Sequence, residues 1–245
     1  MHIIKLNAIP STNTFLKELS ATKKLVNFTT VVAENQTNGK GQRGNIWMVE
    51  TGKNLTFSTL IADFSISQFS PFLLNIIVPV SIIQVLEKYD VNNLKVKWPN
   101  DILAENKKIG GVLIENSFKG IDKIESIIGI GLNANQTNFE NLPKASSILL
   151  ATGQYKNREE LLEKIVSQIE LNYQDLQSGT KQESFFWNFY HQNLFRKDIP
   201  SVFEKPNGEK FQGIIKRVSK EGKLEVLLEN DSLQDFDIKE VSLLY

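Results

Sequence analysis

Four short segments carry residue types suited to holding anions and hydrogen-bonding ligands. The first is Gly39-Lys40-Gly41-Gln42-Arg43-Gly44-Asn45-Ile46-Trp47. Glycines let backbone N–H groups approach an anion, and Lys40 and Arg43 add positive charge, so this segment suits a phosphate or a carboxylate. It lacks the ending of a Walker A loop and does not open a helix as a dinucleotide-binding turn does. A solvated, flexible hairpin loop would use the same residues. The second is Lys97-Trp98-Pro99-Asn100-Asp101. Here Pro99 fixes a corner at which Asp101 can orient a cation or hold a lysine, and Asn100 can bond a base or sugar edge. A plain turn between two strands is the alternative. The third is Lys107-Lys108-Ile109-Gly110-Gly111, continuing into VLIE. A lysine entering an apolar strand is costly to bury unless an anion meets it, and two glycines leave the adjacent backbone bare. A lysine pair at a hairpin tip has the same pattern. The fourth, Gly129 to Asn135 (GIGLNAN), places Asn133 at the end of an apolar strand, where it can face a nucleobase or simply turn the chain.

The elements that must position these segments are legible from periodicity. Ser11 is a plausible N-cap for a short helix carrying Phe15, Leu16 and Leu19. Residues 28–34 and 54–61 read as strands. Residues 72–89 read as a buried helix, and 94–98, 108–115 and 124–135 as further strands. Residues 158–176 and 183–195 have amphipathic helical spacing. Beyond Lys197, short strands alternate with the turn segments PNGE, KEG and ND. The expectation is a larger α/β or α+β domain over 1–195 followed by a small all-β module over 196–245.

Composition narrows the chemistry. With 41% hydrophobic and 23% charged residues over 245 positions, the chain can bury a sizeable core. Lys+Arg and Asp+Glu number 28 each, so bulk charge does not hold it on nucleic acid or an anionic membrane. There is no cysteine, which removes disulfides, thiolate metal sites and cysteine nucleophiles. His2 and His191 are the only histidines, too few for a multi-histidine zinc site, and His191 lies in an aromatic helix face. The longest apolar stretch, near 69–86, is interrupted by Pro71, Asn75, Pro79 and Gln84, and the segment MHIIKLNAIPSTN has no apolar run of signal-peptide length. A soluble, cytoplasmic protein is expected.

Taken in order, GKGQRGNIW, KWPNDIL, KKIGGVLIE and GIGLNAN, preceded by PSTN at 10–13 and AENQ at 33–36, resemble the biotin–protein ligase family over essentially the whole chain. KWPND followed by the lysine–glycine strand is the most specific part. The resemblance implies an α+β fold, a mixed sheet with flanking helices, and a C-terminal module similar to a small SH3-like barrel. The STN motif begins at residue 11, so the short form without an N-terminal DNA-binding domain is expected. The implied activity has two half-reactions. Biotin's carboxylate attacks the α-phosphate of ATP, giving biotinyl-5′-AMP and pyrophosphate. A lysine of a biotin carboxyl carrier domain, part of a biotin-dependent carboxylase, then takes the biotinyl group and releases AMP.

Roles follow from the same resemblance. Lys108 is similar to the lysine that contacts biotin carboxylate and phosphate, with Arg43 and Asp101 as its catalytic companions. Ser11, Thr12, Asn13 and Gln36 look like the ureido contacts. Gly39, Gly110 and Gly111 leave room for the valeryl chain, and Lys40, Gly41 and Gln42 complete the biotin side. Lys40, Arg43, Trp47, Asn100 and Asn133 are expected on the ATP side, with Trp47 stacking on adenine and Mg²⁺ carried by the phosphates rather than by protein ligands. Lys40 and Gln42 stand where relatives often carry Arg, which is expected to alter affinity for the adenylate rather than reaction type. Family members are often dimers, so a homodimer is compatible. The competing expectations are a lipoate– or octanoate–protein ligase, a non-catalytic biotin-binding regulator and an oligonucleotide binder. The last lacks the aromatic interleaving of a stacking surface.

Overall fold

The chain opens with a strand–helix–strand unit. β1 (His2–Ile9) pairs in parallel with β2 (Thr29–Gln36), and α1 (Thr12–Thr22) makes the crossover. This is a computed structural model; it describes residues 2–47, 49–140 and 142–245 and, at Arg43, the backbone alone. β3 (Leu55–Ser65), β4 (Leu94–Lys97), β5 (Asp101–Ala104), β6 (Lys107–Lys119) and β7 (Lys123–Leu132) complete a seven-stranded sheet. Its order is β1-β2-β3-β7-β6-β5-β4, antiparallel everywhere beyond the first pair.

Strand alternation separates the two faces. On one face Leu16 of α1 packs on Val31, Leu60 and Ile127. On the other, Phe57, Ile61 and Ile128 meet the main core with α2 (Leu74–Glu87), α4 (Arg158–Gln177) and α5 (Glu183–Gln192). Eleven of the fourteen α2 residues are buried, so this helix has no polar face and must be covered all round. The sheet, α4 and α5 provide that cover. α4 is capped by Asn157, whose side chain accepts the N–H groups of Glu159 and Glu160. Three elements that periodicity did not reveal are β1, an edge strand with no fully buried position, the short β5, which follows the Pro99-Asn100-Asp101 corner, and α3 (Ile148–Thr152). The strand expected to reach residue 135 stops at Leu132, because Asn133 and Ala134 turn to meet α3 through backbone hydrogen bonds. The last expected helix ends at Gln192, after which Phe195 N–H bonds to Val96 O on β4.

β8 (Pro200–Glu204), β9 (Lys210–Val218), β10 (Leu224–Leu228), β11 (Leu233–Phe236) and β12 (Ser242–Leu244) form a separate antiparallel sheet, ordered β11-β10-β9-β8-β12. Phe203, Phe211 and Phe236 stack across it. Its β9–β10 turn is tied to the main body where Trp98 Nε1 donates to Gly222 O at 2.9 Å. Gly222 is required there: its φ is +93°, and a Cβ would collide with the Phe72 ring. Among the described residues no helix is long and apolar enough to cross a membrane.

Candidate active site

The α1 N-terminus places Ser11, Thr12 and Asn13 against the sheet, all three buried. Ser11 Oγ accepts the Thr14 N–H as the N-cap. Gln36 Oε1, at the end of β2, accepts from both Thr12 N–H (2.8 Å) and Thr12 Oγ1 (3.0 Å). Ser58 Oγ on β3 lies 2.7 Å from Thr12 Oγ1 and 2.5 Å from Asn13 Oδ1. Asn13 Nδ2 donates to Glu115 Oε2 at 2.8 Å. The result is a fixed row of donors and acceptors whose own partners hold them in place. Gly129 makes it fit, since a Cβ at that position would lie 2.3 Å from Asn13 Oδ1. The sequence marked Gly129 as part of the fourth segment, but neither its contact with Asn13 nor the roles of Ser58 and Glu115 were anticipated. These residues sit on strands far along the chain, and only the register that sets Gly129 opposite Ser58 reveals their roles.

Lys108 stands at the other end of this row. Its Nζ is 2.6 Å from Asp101 Oδ1, and Asp101 Oδ2 is 3.3 Å from Lys97 Nζ. Its backbone is held as well: its N–H donates to Lys144 O and its carbonyl accepts from Ser146 N–H. The glycine loop closes as a small hairpin over the cleft. Lys40 pairs with Ile46, Gly41 N–H bonds to Asn45 O, and Trp47 N–H bonds to Gly39 O at 2.9 Å. Lys40 Nζ reaches Thr14 Oγ1. The Trp47 indole lies beneath the Lys108 ammonium, 5.4 Å from ring centroid to Nζ. Its edge covers Gly131, where a Cβ would lie 2.3 Å from the ring. Trp47 Nε1 is buried without a hydrogen-bond partner among the described residues.

Three cavities meet at Lys108 and Trp47. One is lined by Ser11, Thr12, Asn13, Gln36, Lys40 and Gly111, and measures about 50 Å³ with the indole in place. A second, about 520 Å³ and largely apolar, is walled by Asn133, Phe139, Leu142 and Tyr245. The third runs past Asn100 and Asp101 towards the second sheet. Gly41 and Gln42 line both the first and the third. Arg43, expected to act beside Lys108, has its side chain outside the described residues. Gly39 and Gly110 do not bare their backbone to the cleft as expected. Gly39 is packed on the Trp47 carbonyl, and Gly110 on Gly131 O and the Leu132 side chain. Asn100 and Asn133 each commit their amide to a structural bond, to Val112 O and Ser146 O. His191 is remote from the cleft, with Nε2 3.1 Å from the backbone of Val218.

A mixed seven-stranded sheet with flanking helices and an appended five-stranded antiparallel sheet is the fold of a solved biotin protein ligase. The biotin protein ligase of Aquifex aeolicus, solved in complex with biotin and ATP, superposes with a TM-score of 0.80 at 26% identity, covering 99% of this chain and 98% of that one. The model of the Biotin/lipoate A/B protein ligase family matches residues 6–133, just over half of the chain, and the chain belongs to that family. The bifunctional ligase/repressor BirA of Bacillus subtilis is 31% identical over 195 residues, 77% of this chain and 59% of that protein. The chain thus spans less than two thirds of the Bacillus relative. The biotin–[acetyl-CoA-carboxylase] ligase of Mycobacterium tuberculosis is 23% identical over 87% of this chain and 79% of its own length.

Proposed function

We propose that the protein is an ATP-dependent biotin–protein ligase. The observation that carries this reading is the position of Lys108, whose ammonium stands where the Ser11–Asn13 row, the Asn133 cavity and the Asp101 cleft converge. A urea needs both donors and acceptors, and the row formed by Ser11, Thr12, Asn13 and Gln36 offers both. The carboxylate at the far end of the valeryl chain then meets Lys108. The α-phosphate of ATP, its adenine in the apolar cavity beside Asn133, meets the same ammonium from the other side. The cation draws together two anions that repel one another and stabilises the charge that builds as the carboxylate oxygen attacks phosphorus. Pyrophosphate leaves, and biotinyl-5′-AMP remains.

The second step needs a neutral amine. The acceptor lysine of a biotin carboxyl carrier domain attacks the anhydride carbonyl, AMP departs, and the amine's proton is lost to a base. Asp101 borders the third cavity and is suited to orient that amine. Mg²⁺ is assigned to the phosphates of ATP. Both oxygens of Asp101 are engaged by ammonium groups, so this carboxylate does not suit direct metal binding. Shielding the adenylate from water falls to the loop of Lys40, Gly41, Gln42, Arg43 and Trp47.

The test is mass spectrometry of a purified carrier domain after incubation with the protein, ATP, Mg²⁺ and biotin. A gain of one biotinyl group is expected. Transfer of lipoate but not biotin in direct competition would overturn the assignment of substrate.

A further inference from the structure

We propose that Tyr245, contributed from beyond β12 of the second sheet, is a positioning residue that holds the Lys97–Asp101–Lys108 network in register and walls the nucleotide cavity. The inference rests on the ligase reading above and extends it to a residue outside the family motifs.

The Tyr245 ring is half-buried and meets Phe195 edge-on at 5.0 Å. Phe195 is itself fastened to β4 by its N–H bond to Val96 O, so the ring is anchored beside the strand that bears Lys97. Two ammonium groups approach the ring: Lys144 Nζ at 4.3 Å from the centroid and Lys97 Nζ at 5.3 Å. An aromatic face attracts such cations through its quadrupole. Both lysines flank Lys108. Lys97 shares the Asp101 carboxylate with it, and the Lys144 carbonyl accepts the Lys108 N–H at 2.7 Å. With Lys97 held on the ring and on Oδ2, Asp101 keeps Oδ1 for Lys108. Remove the ring, and Lys97 loses one of its two anchors while the nucleotide cavity loses a wall. Burial, reinforced by the Asp101 charge, raises the Tyr245 phenol above its ordinary value, so the hydroxyl stays protonated at neutral pH. The contacts that tie Tyr245 to Lys97, Lys144 and Phe195 are made by the ring, so the function is assigned to the ring face.

Tyr245 walls the nucleotide cavity directly and reaches the Ser11–Asn13 cavity only through Lys108, so the ring should matter more to ATP than to biotin. Calorimetric titration with ATP and, separately, with biotin decides this for the unaltered protein, Tyr245→Phe and Tyr245→Leu, with ATP–pyrophosphate exchange alongside. For Tyr245→Leu, ATP affinity should fall and KM for ATP rise by roughly 2- to 30-fold, the range of one or two cation–π contacts. Biotin affinity should fall by a smaller factor, and Tyr245→Phe should bind ATP as the unaltered protein does. Unchanged ATP affinity in Tyr245→Leu overturns the proposal. So does equal loss of ATP and biotin binding, which marks a merely structural role, or a Phe variant as weak as Leu. If the unaltered protein makes no biotinyl-AMP, the ligase reading itself falls, and the ATP titrations still decide the role of the ring.

Discussion

Lys108→Ala removes the one ammonium that, among the described residues, is common to all three cavities. Adenylate formation should be abolished, as read by pyrophosphate exchange. Stability should change by no more than about 1 kcal/mol, because the lysine is partly exposed and Asp101 retains Lys97. Adenylate at the normal rate would sink the assignment. Asn13 works differently, since its side chain is buried and fully engaged. Asn13→Ala leaves Ser58 and Glu115 short of a partner and should weaken biotin by about 1–3 kcal/mol. Gly129→Ala should do the same without removing any polar group, because its methyl takes the space of Asn13 Oδ1. Calorimetry on the double variant checks the shared cause: it should be little worse than either single one, whereas strict additivity would contradict it.

The glycine loop and the β3–β7–β6 register act together on the scale of elements. Gly111 and Gly131 sit opposite one another on β6 and β7, and the Trp47 indole rests on this bare patch. A cleft of about 50 Å³ holds only a few water molecules, each needing about 10–15 Å³, so a bicyclic ligand is expected to move the loop that carries Trp47. Biotin binding should therefore change tryptophan fluorescence, and Trp47→Phe should abolish the change while leaving the signals of Trp98 and Trp187. A full change persisting in Trp47→Phe would place the movement elsewhere. The sequence pointed to glycines and an indole in this region, but read Gly110 and Gly39 as facing the ligand. Strand pairing turns Gly110 towards Leu132 instead, and loop closure packs Gly39 on the Trp47 carbonyl. Neither effect has a signature in local residue order.

At the scale of the whole molecule, α5 and the second sheet meet at His191. Burial, outweighing its bond to Val218, holds the imidazole below its ordinary value of 6.5, with Lys197 and Arg217 acting in the same direction and Glu225 against it. The folded protein therefore binds fewer protons here than the unfolded chain between the lowered value and 6.5. The contribution of this group is intact above 6.5 and is lost as pH falls through that window. Melting temperature should drop on acidification more steeply in the unaltered protein than in His191→Gln, measured by calorimetry from pH 7.5 down to 5. Parallel curves would show that the seam does not sense this proton.

Residue order alone determined the chemistry on offer: a glycine loop with cations, a Pro-Asn-Asp corner, a lysine entering a strand and a polar Ser-Thr-Asn cap. Those are local properties, set by which backbone angles and charges each residue type allows. Only the tertiary structure decided which of them share a cleft. Sheet register brings Ser58, Glu115 and Gly129 to Asn13, and chain return from β12 brings Tyr245 to Lys97. Contacts between positions so far apart depend on how the sheets pack, and packing is a sum over many side chains that no single motif encodes.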